Sequence, residues 1–337
     1  MPANLTPDYR RAEQAFREAT TVEEKIAALE RMLAVIPKHK GTDHLQADLK
    51  RRLAKLRDAQ QSQAKKKGFD VFRVERAPRS AGQVVLLGPP NAGKSALLAR
   101  LTHAHPEVAP YPFTTKRPLP GMMPFEGAQV QLVDLPPIAG GELPPGMLGL
   151  VKSADAAIAV VDLAAEDVLE ETEALQAGLE RGRVRLHRPL APPDPPLPDE
   201  PGWRGLPALL AGTRIDVAGA ADAAAALHEL YGARLPVHAV SAETGEGLEA
   251  LREAAYRMLD RIRVYGKAPG RPPDRDSPFV LPRGATVLDY ARHVHRDFPD
   301  HLKLARLYGP SGKFDGVPVP RDHVLADGDC VELHVDI

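Results

Sequence analysis

Hydrophobic and polar positions follow three different rhythms along the chain. From residue 7 to about 67 the apolar positions recur every three or four residues and no strand signal appears. Val22, Ile26, Leu29, Leu33 and Ile36 fall on one helical face, and Thr21 with Glu24 has capping-box spacing before them. "PKHKGTD" (37–43) interrupts, and Leu45, Leu49, Leu53 and Leu56 then resume the period. Two such helices with a short connection predict an antiparallel hairpin within residues 1–70.

The rhythm changes over residues 82–264, where short apolar runs alternate with helical segments. The runs are "QVVLL", "QVQLVD", "AIAVVD", "PALLAG" and "PVHAVS". Nearly continuous apolar runs are what parallel strands buried on both faces require. Alternating β and α elements predict a doubly wound α/β domain with a mostly parallel sheet. Residues 187–203, "HRPLAPPDPPLPDEPGW", hold too many prolines for a helix or a central strand and read as a surface loop.

A second proline-rich stretch, "YGKAPGRPPDRDSP" (265–278), reads as a linker to a last domain over 278–337. There a strand and a turn lead to a helix opened by Thr286, with Val287, Tyr290, Ala291, Val294 and Phe298 facing inward. Period-two alternation of Val331, Leu333, Val335 and Ile337 closes the chain. A mixed α/β unit of this length has a modest core.

Composition narrows the class. The formal net charge is −1, which argues against a general nucleic-acid coat but not against a local patch. The longest apolar run, "ADAAIAVVDLAA", is too short to span a bilayer, so no membrane partner is expected. "MPANLTPDYRR" has no apolar h-region, and the single Cys330 rules out an internal disulfide; both fit a reducing, cytoplasmic setting. The second helix carries Lys50, Arg51, Arg52, Lys55 and Arg57, followed by Lys65–Lys67. A solvated helix face and a contact with nucleic-acid phosphates both remain open for it.

The chemistry concentrates at strand ends. "GPPNAGKS", from Gly88 through Pro89, Pro90, Asn91, Ala92, Gly93 and Lys94 to Ser95, matches G-x-x-x-x-G-K-[ST], with Ala96 opening the helical run behind it. The strand before and the helix after are the context this loop needs for its amides to hold α- and β-phosphates. Lys94 would neutralise β/γ oxygens and Ser95 would ligate Mg²⁺. "GTRID" follows one apolar run and "SAETGEG" another, where GTPases place their base-reading residues. Asp216 would accept from guanine N1 and the 2-amino group, a pairing adenine does not offer. Arg214 would lie over the base plane. The amide of Ala242, in the run Ser241, Ala242, Glu243, would reach O6. Thr213 replaces the usual asparagine and keeps a hydroxyl for bracing the phosphate loop. An ATPase is the alternative should Asp216 play no such part. "YPFTTKRPLPG" (111–121) stands in the place of switch I, and Thr115, in preference to Thr114, would give the metal a second hydroxyl. Asp134, ending "QLVD", would hold the same metal through water.

"YPFTT", "FEGAQVQLVDLP" and "KGFDVFRV", with the N-terminal "EEKIAALERMLA", resemble the developmentally regulated GTP-binding (DRG) proteins among the Obg-related GTPases. The last block resembles their TGS domain, a small ubiquitin-like β-grasp module. The resemblance spans nearly the whole chain. It implies a cytoplasmic GTPase acting around ribosomes, often with a partner protein, and inclines the basic helix Lys50–Lys67 towards ribosomal RNA. Such GTPases recruit K⁺ through an asparagine of the phosphate loop, and Asn91 matches it. Lys94, Asn91 and Thr115 are therefore the catalytic set the resemblance implies.

The chain also departs from the family pattern. The extra domain usually inserted in the G domain is replaced by a helical stretch and the proline-rich segment. Switch II reads "PPIAGGELPPGMLG", and Pro137 stands where a glycine amide would contact the γ-phosphate. Ile138 follows, where Ras-like enzymes place a water-orienting glutamine. Two expectations result: a slow, K⁺-stimulated GTPase controlling ribosome association, or a module that binds GTP or GDP without useful turnover and serves as an RNA or protein scaffold.

Overall fold

The computed structural model describes residues 7–19, 22–36, 42, 45–57, 72–102, 117–144 and 146–336. They form two compact units that divide between Val71 and Phe72.

The first unit contains helices α1 (Pro7–Glu18), α2 (Val22–Val35) and α3 (residues 45–57). A third helix thus joins the expected pair. Tyr9 and Ala12 of α1 share a core with Leu29, Met32, Ile36 and Leu49, because a short amphipathic helix is stable only when its stripe is covered. On α3, Arg51 and Arg52 pair with Asp48, and Arg57 pairs with Glu30 at 2.6 Å, so part of the basic face is neutralised. Thr21 of the expected capping box and the run Lys65–Lys67 lie outside the described residues.

The second unit contains two sheets. Strands β1 (Gln83–Leu87), β2 (Leu119–Phe125), β3 (Ala128–Asp134), β4 (Ala156–Asp162), β5 (Val184–His187), β6 (Arg204–Thr213) and β7 (Val237–Ala239) form the first. Its order is β2-β3-β1-β4-β6, with β5 and β7 pairing successive parts of β6. Every pair is parallel except β2–β3. Helices α4 (Lys94–Leu101), α5 (Met147–Ser153), α6 (Val168–Arg181), α7 (Ala220–Tyr231) and α8 (Leu248–Arg257) cover it. All of β1 is buried: Val84 and Leu86 meet Leu97, Leu98 and Leu251, while Val85 and Leu87 meet Met147, Leu175 and Leu227. A parallel strand covered on both faces has no polar side to show, which accounts for the unbroken "VVLL". The strand β2 lies outside the expected runs, since Pro120 and Pro124 read as breakers; an antiparallel edge tolerates them.

The second sheet holds β8 (Arg261–Lys267), β9 (Asp274–Pro282), β10 (Leu302–Tyr308), β11 (Val317–Val319) and β12 (Cys330–Val335) in the order β11-β10-β12-β8-β9. The C-terminal module therefore begins upstream of 278, and part of the expected linker is strand. Ile262 and Val264 are buried against Val287, Tyr290, Leu307 and Val331, and β8 pairs in parallel with β12. Helix α9 (Val287–Val294) is opened by a reciprocal capping box between Thr286 and Asp289, and α10 (Phe298–His301) follows.

The two sheets meet at the β2–β3 turn. Phe125 stacks on Tyr256 of α8 with ring centroids 4.9 Å apart, and Arg263 of β8, itself held by Asp327, lies over the Tyr256 ring and bonds Glu126. The proline-rich loop 187–203 runs irregularly between β5 and β6 and is tied down by arginines. Arg185 donates to the carbonyls of Pro195 (3.1 Å) and Pro196 (2.8 Å), and Arg183 to that of Pro201 (2.6 Å).

Candidate nucleotide-binding site

The loop after β1 is shaped by residues that only certain side chains permit. A Cβ on Gly88 would stand 2.1 Å from the carbonyl oxygen of Val160, so the loop approaches β4 as closely as a backbone allows. Asn91 (φ 62°) and Gly93 (φ 84°) turn the chain through left-handed geometry. The turn ends in α4, whose N-cap Gly93 contributes no side-chain cap, so its first amides face the loop. Lys94 is buried and folds back, its Nζ donating to the carbonyls of Gly88 (3.0 Å) and Pro89 (2.7 Å). Ser95 Oγ donates to Asp134 Oδ2 at 2.5 Å, joining the start of α4 to the end of β3.

These groups line a cavity of about 370 Å³ that runs along Pro90–Ala96 and includes Asp134, Leu135, Pro137 and Arg214. A hydroxyl and a carboxylate oxygen converging at its mouth are the hard donors a magnesium ion selects, so the residues present fit that ion.

The far end is built by β6 and β7. Thr213 is buried, with its Oγ1 3.0 Å from the Ala92 carbonyl and 3.2 Å from that of Val161. One short side chain thus ties the phosphate loop to the next strand. Arg214 takes left-handed geometry (φ 62°), pairs with Asp162 at 2.9 Å and donates to the Asn91 carbonyl at 3.3 Å. Its guanidinium is engaged at the loop. Asp216 is exposed, next to a Val217 that is 41% exposed. Ser241 is buried at the start of a tight turn, accepting at Oγ from the amides of Glu243 (3.2 Å) and Thr244 (3.1 Å), with Ala242 half-buried at its apex.

The segment after Asp134 is built differently. Leu135 and Ile138 are buried among Leu87, Met147 and Leu175, and the Ile138 amide donates to the Gly88 carbonyl at 3.0 Å. Ile138 points into the core, so it has no water to orient. Gly141 (φ 74°) then lies directly on α6. A Cβ on Gly178 would come within 2.0 Å of the Gly141 carbonyl oxygen, and Arg181 donates to that oxygen at 2.8 Å. Beside this contact the Glu171 carboxyl is pushed up, first by burial and then by Asp167 and Asp162, with Lys94 opposing.

The structure brings together Gly88–Ala96, Asp134, Thr213 and Arg214, with Asp216 and Ser241–Glu243 on the neighbouring strand ends. Thr114 and Thr115 lie outside the described residues. Asp162 and Arg181 went unread in the sequence. Asp162 had a signal, since "AIAVVD", like "QLVD", is an apolar run that ends in an aspartate; Arg181, on a helix, had none. Ser311, His323 and Asp329 also meet, although no such set was legible. Asp329 takes the Ser311 hydroxyl directly (2.6 Å) and His323 sits on the other side of that hydroxyl (2.9 Å), so no acid orients the imidazole as a relay requires.

Comparison with known proteins adds to this geometry. Residues 83–187 match the family described as 50S ribosome-binding GTPase, and residues 262–335 match the TGS domain. An uncharacterized GTP-binding protein of Methanocaldococcus jannaschii is 30% identical over 363 residues, 93% of this chain and 92% of that one. Developmentally-regulated G-protein 3 of Arabidopsis thaliana is 27% identical over 93% of this chain and 99% of its own. Ribosome-interacting GTPase 1 of Saccharomyces cerevisiae is 27% identical over 94% of this chain and 99% of its own.

Proposed function

This chain belongs to the developmentally regulated GTP-binding protein family, and on that footing we propose that it binds GTP and GDP with Mg²⁺, hydrolyses GTP slowly and associates with ribosomes. The observation that carries the nucleotide reading is the convergence of Lys94 and the Ser95–Asp134 pair on one cavity at the end of β1.

The amides between Asn91 and Ser95 wrap the diphosphate, and Lys94 exchanges the Gly88 and Pro89 carbonyls for phosphate oxygens. Ser95 and Thr115 would ligate the metal and Asp134 would hold it through water, and the metal would supply positive charge against the phosphate oxygens. Thr213 keeps the loop in place from behind, Asp216 reads the guanine edge, Arg214 lies along its plane and the Ala242 amide meets O6. Asn91 would hold a potassium ion, which would supply positive charge beside the transferring phosphoryl group.

Two features of switch II support a slow turnover. Pro137 lines the phosphate cavity without an amide hydrogen, forgoing a charge-assisted bond worth about 1.5–3 kcal/mol, or roughly ten- to a hundred-fold in preference for GTP over GDP. Ile138 is in the core. Phosphate release by the purified chain, compared in KCl and NaCl, tests the reading; slow release, faster in KCl, is expected. A second reading, a nucleotide-bound scaffold without turnover, is favoured by the clamp of Gly141 on α6. It prevails if nucleotide stays bound and no phosphate is released in either salt.

Ribosome association rests on the family description and on the name of the yeast relative. The contacts assigned to it are the basic face of α3 and the TGS domain, in a cytoplasmic setting; a regulatory protein partner belongs to the same proposal. Among the described residues no helix is long and apolar enough to cross a membrane. Co-sedimentation with ribosomes in GTP analogue, in GDP and without nucleotide tests it, with pelleting strongest in the analogue.

A further inference from the structure

The strands of the C-terminal sheet do not end together. β8 pairs with β12 as far as Lys267, opposite Glu332, and on its other side β9 starts opposite Gly266. β12 runs on to Val335 and is paired there with β10. Among the described residues no strand therefore continues β8 beside the end of β12.

A cavity of about 580 Å³ lies at that place, larger than the one of about 370 Å³ at the phosphate loop. Phe279 of β9, Tyr290 and Val294 of α9, Phe298 of α10, and Leu333 and Val335 of β12 form its apolar walls. All of these but Tyr290 are only partly buried, so the module leaves apolar side chains uncovered around one space.

Tyr290 is 2% exposed, and its ring meets that of Phe279 edge-on with centroids 5.4 Å apart. Its hydroxyl has no hydrogen-bond partner among the described residues, and burial pushes its pKa up. A buried hydroxyl left without a partner is costly, and folds ordinarily supply one. Gly266 removes what would have covered it. A Cβ there would stand 3.1 Å from Tyr290 Oη and 3.7 Å from the Phe279 ring. Its φ lies outside the left-handed region, so the backbone makes no demand for glycine. Ile262 and Val264 fill the core earlier on the same strand, and at Gly266 the space is left open.

The charged groups at the cavity are already engaged or in water. Lys267 pairs with the buried Glu332, which also bonds the His334 imidazole at 2.7 Å, and Asp274 is exposed. Neither Lys267 nor His334 is free to take a phosphate or a carboxylate.

We propose that this cavity binds a small uncharged molecule with a planar ring and one hydrogen-bonding group, the ring packed among Phe279, Phe298 and Leu333 and the polar group held by the Tyr290 hydroxyl. Its volume falls within the roughly 300–1,000 Å³ of small-molecule sites, and apolar walls with few convergent polar groups are how such sites are made. Rings that already meet edge-on favour a further planar ring as their neighbour. A partner protein's apolar side chain would use the walls and leave the hydroxyl unpaired. Nothing in the proposal depends on the nucleotide site.

The probes are indole, a ring with one N–H, and toluene, a ring with none, titrated into the full chain by ligand-detected NMR. Indole should bind with a dissociation constant of about a millimolar or tighter. Tyr290→Phe should weaken indole about five- to ten-fold and leave toluene unchanged. Without ligand it should melt higher than wild type, because it deletes an unpaired buried hydroxyl. Gly266→Ala, which covers the hydroxyl, should weaken indole at least as much. Val294→Phe, which fills the cavity from α9, should weaken both probes about ten-fold or more. Native circular dichroism shows which variants are folded; should Val294→Phe fail to fold, the other two decide. Wild type that binds no indole overturns the proposal, and so do variants that bind it unchanged, since indole then sits elsewhere. If Tyr290→Phe weakens neither probe while Val294→Phe weakens both, the cavity is a groove for a protein side chain and the proposal is overturned. A lower melting temperature for Tyr290→Phe shows a hydroxyl already satisfied within the fold and overturns it as well.

Discussion

The loop after β1 and the loop after β3 leave adjacent parallel strands, share the Gly88 carbonyl and line one cavity, yet they are built to opposite ends. From Gly88 to Ser95 the chain turns through positive φ at Gly88, Asn91 and Gly93, and Lys94 and Ser95 rest on carbonyl and carboxylate oxygens that a ligand can replace. From Leu135 to Gly141 the backbone lacks donors or is bonded inward. Pro137 has none, the Ile138 amide is bonded to Gly88, and Gly141 is fastened to α6. The proposed binding and sensing loops can thus be tuned separately, one left with exchangeable partners and the other committed to the core.

The largest expected effect removes the first side of that contrast. Lys94→Ala should weaken both GTP and GDP by roughly a hundred-fold, the loss of about two charge-assisted bonds at the lower end of their range, read by calorimetry in magnesium. Pro137→Gly restores an amide to the second side. It should raise the preference for GTP over GDP by about ten-fold and up to a hundred-fold in competition titrations; an unchanged ratio would mean that the clamp, not the missing amide, sets the response. Gly178→Ala attacks the clamp and should destabilise the chain by about 1–3 kcal/mol, with faster hydrogen exchange over 135–144. Thr213→Val leaves the shape and deletes the brace, for about 1 kcal/mol and roughly five-fold in nucleotide affinity.

Glu171→Gln should have the smallest effect. Burial, with Asp167 and Asp162 alongside, holds the Glu171 carboxyl above its usual range. The folded chain therefore binds that proton more tightly than the unfolded one, and the stability it gives is complete at low pH and lost as pH rises through the folded value. The variant should melt higher than wild type in mildly alkaline buffer, and the difference should vanish as the pH falls and Glu171 protonates.

What was legible in the sequence follows from how local each signal is. The strand, loop and helix around Gly88–Ser95 are contiguous, and the glycines, Lys94 and Ser95 that give the loop its pattern lie within it, so spacing marked it, whereas its brace Thr213 stands 121 residues from Ala92. The pairing of Arg214 with Asp162 spans two strands and is set by sheet order, which spacing does not encode. Strand β2 was hidden by Pro120, Pro124 and Gly121, which are strand breakers everywhere but at an edge. Strand β8 was hidden because only Ile262 and Val264 alternate before Gly266, directly behind α8, and its partner β12 lies more than sixty residues away. Helix α1 offers few apolar positions and shows itself only through the core it completes.

Glu126 and Phe125, at the tip of the first sheet's hairpin, are as much part of the TGS module's footing as Arg263 within it. A chain cut after α8 would leave Phe125 and Tyr256 uncovered and Glu126 without its arginine, inviting self-association. Grafting the module onto another GTPase would meet the same difficulty from the other side. The heritable piece is therefore larger than the domain: it includes a turn that belongs, by sequence, to its neighbour.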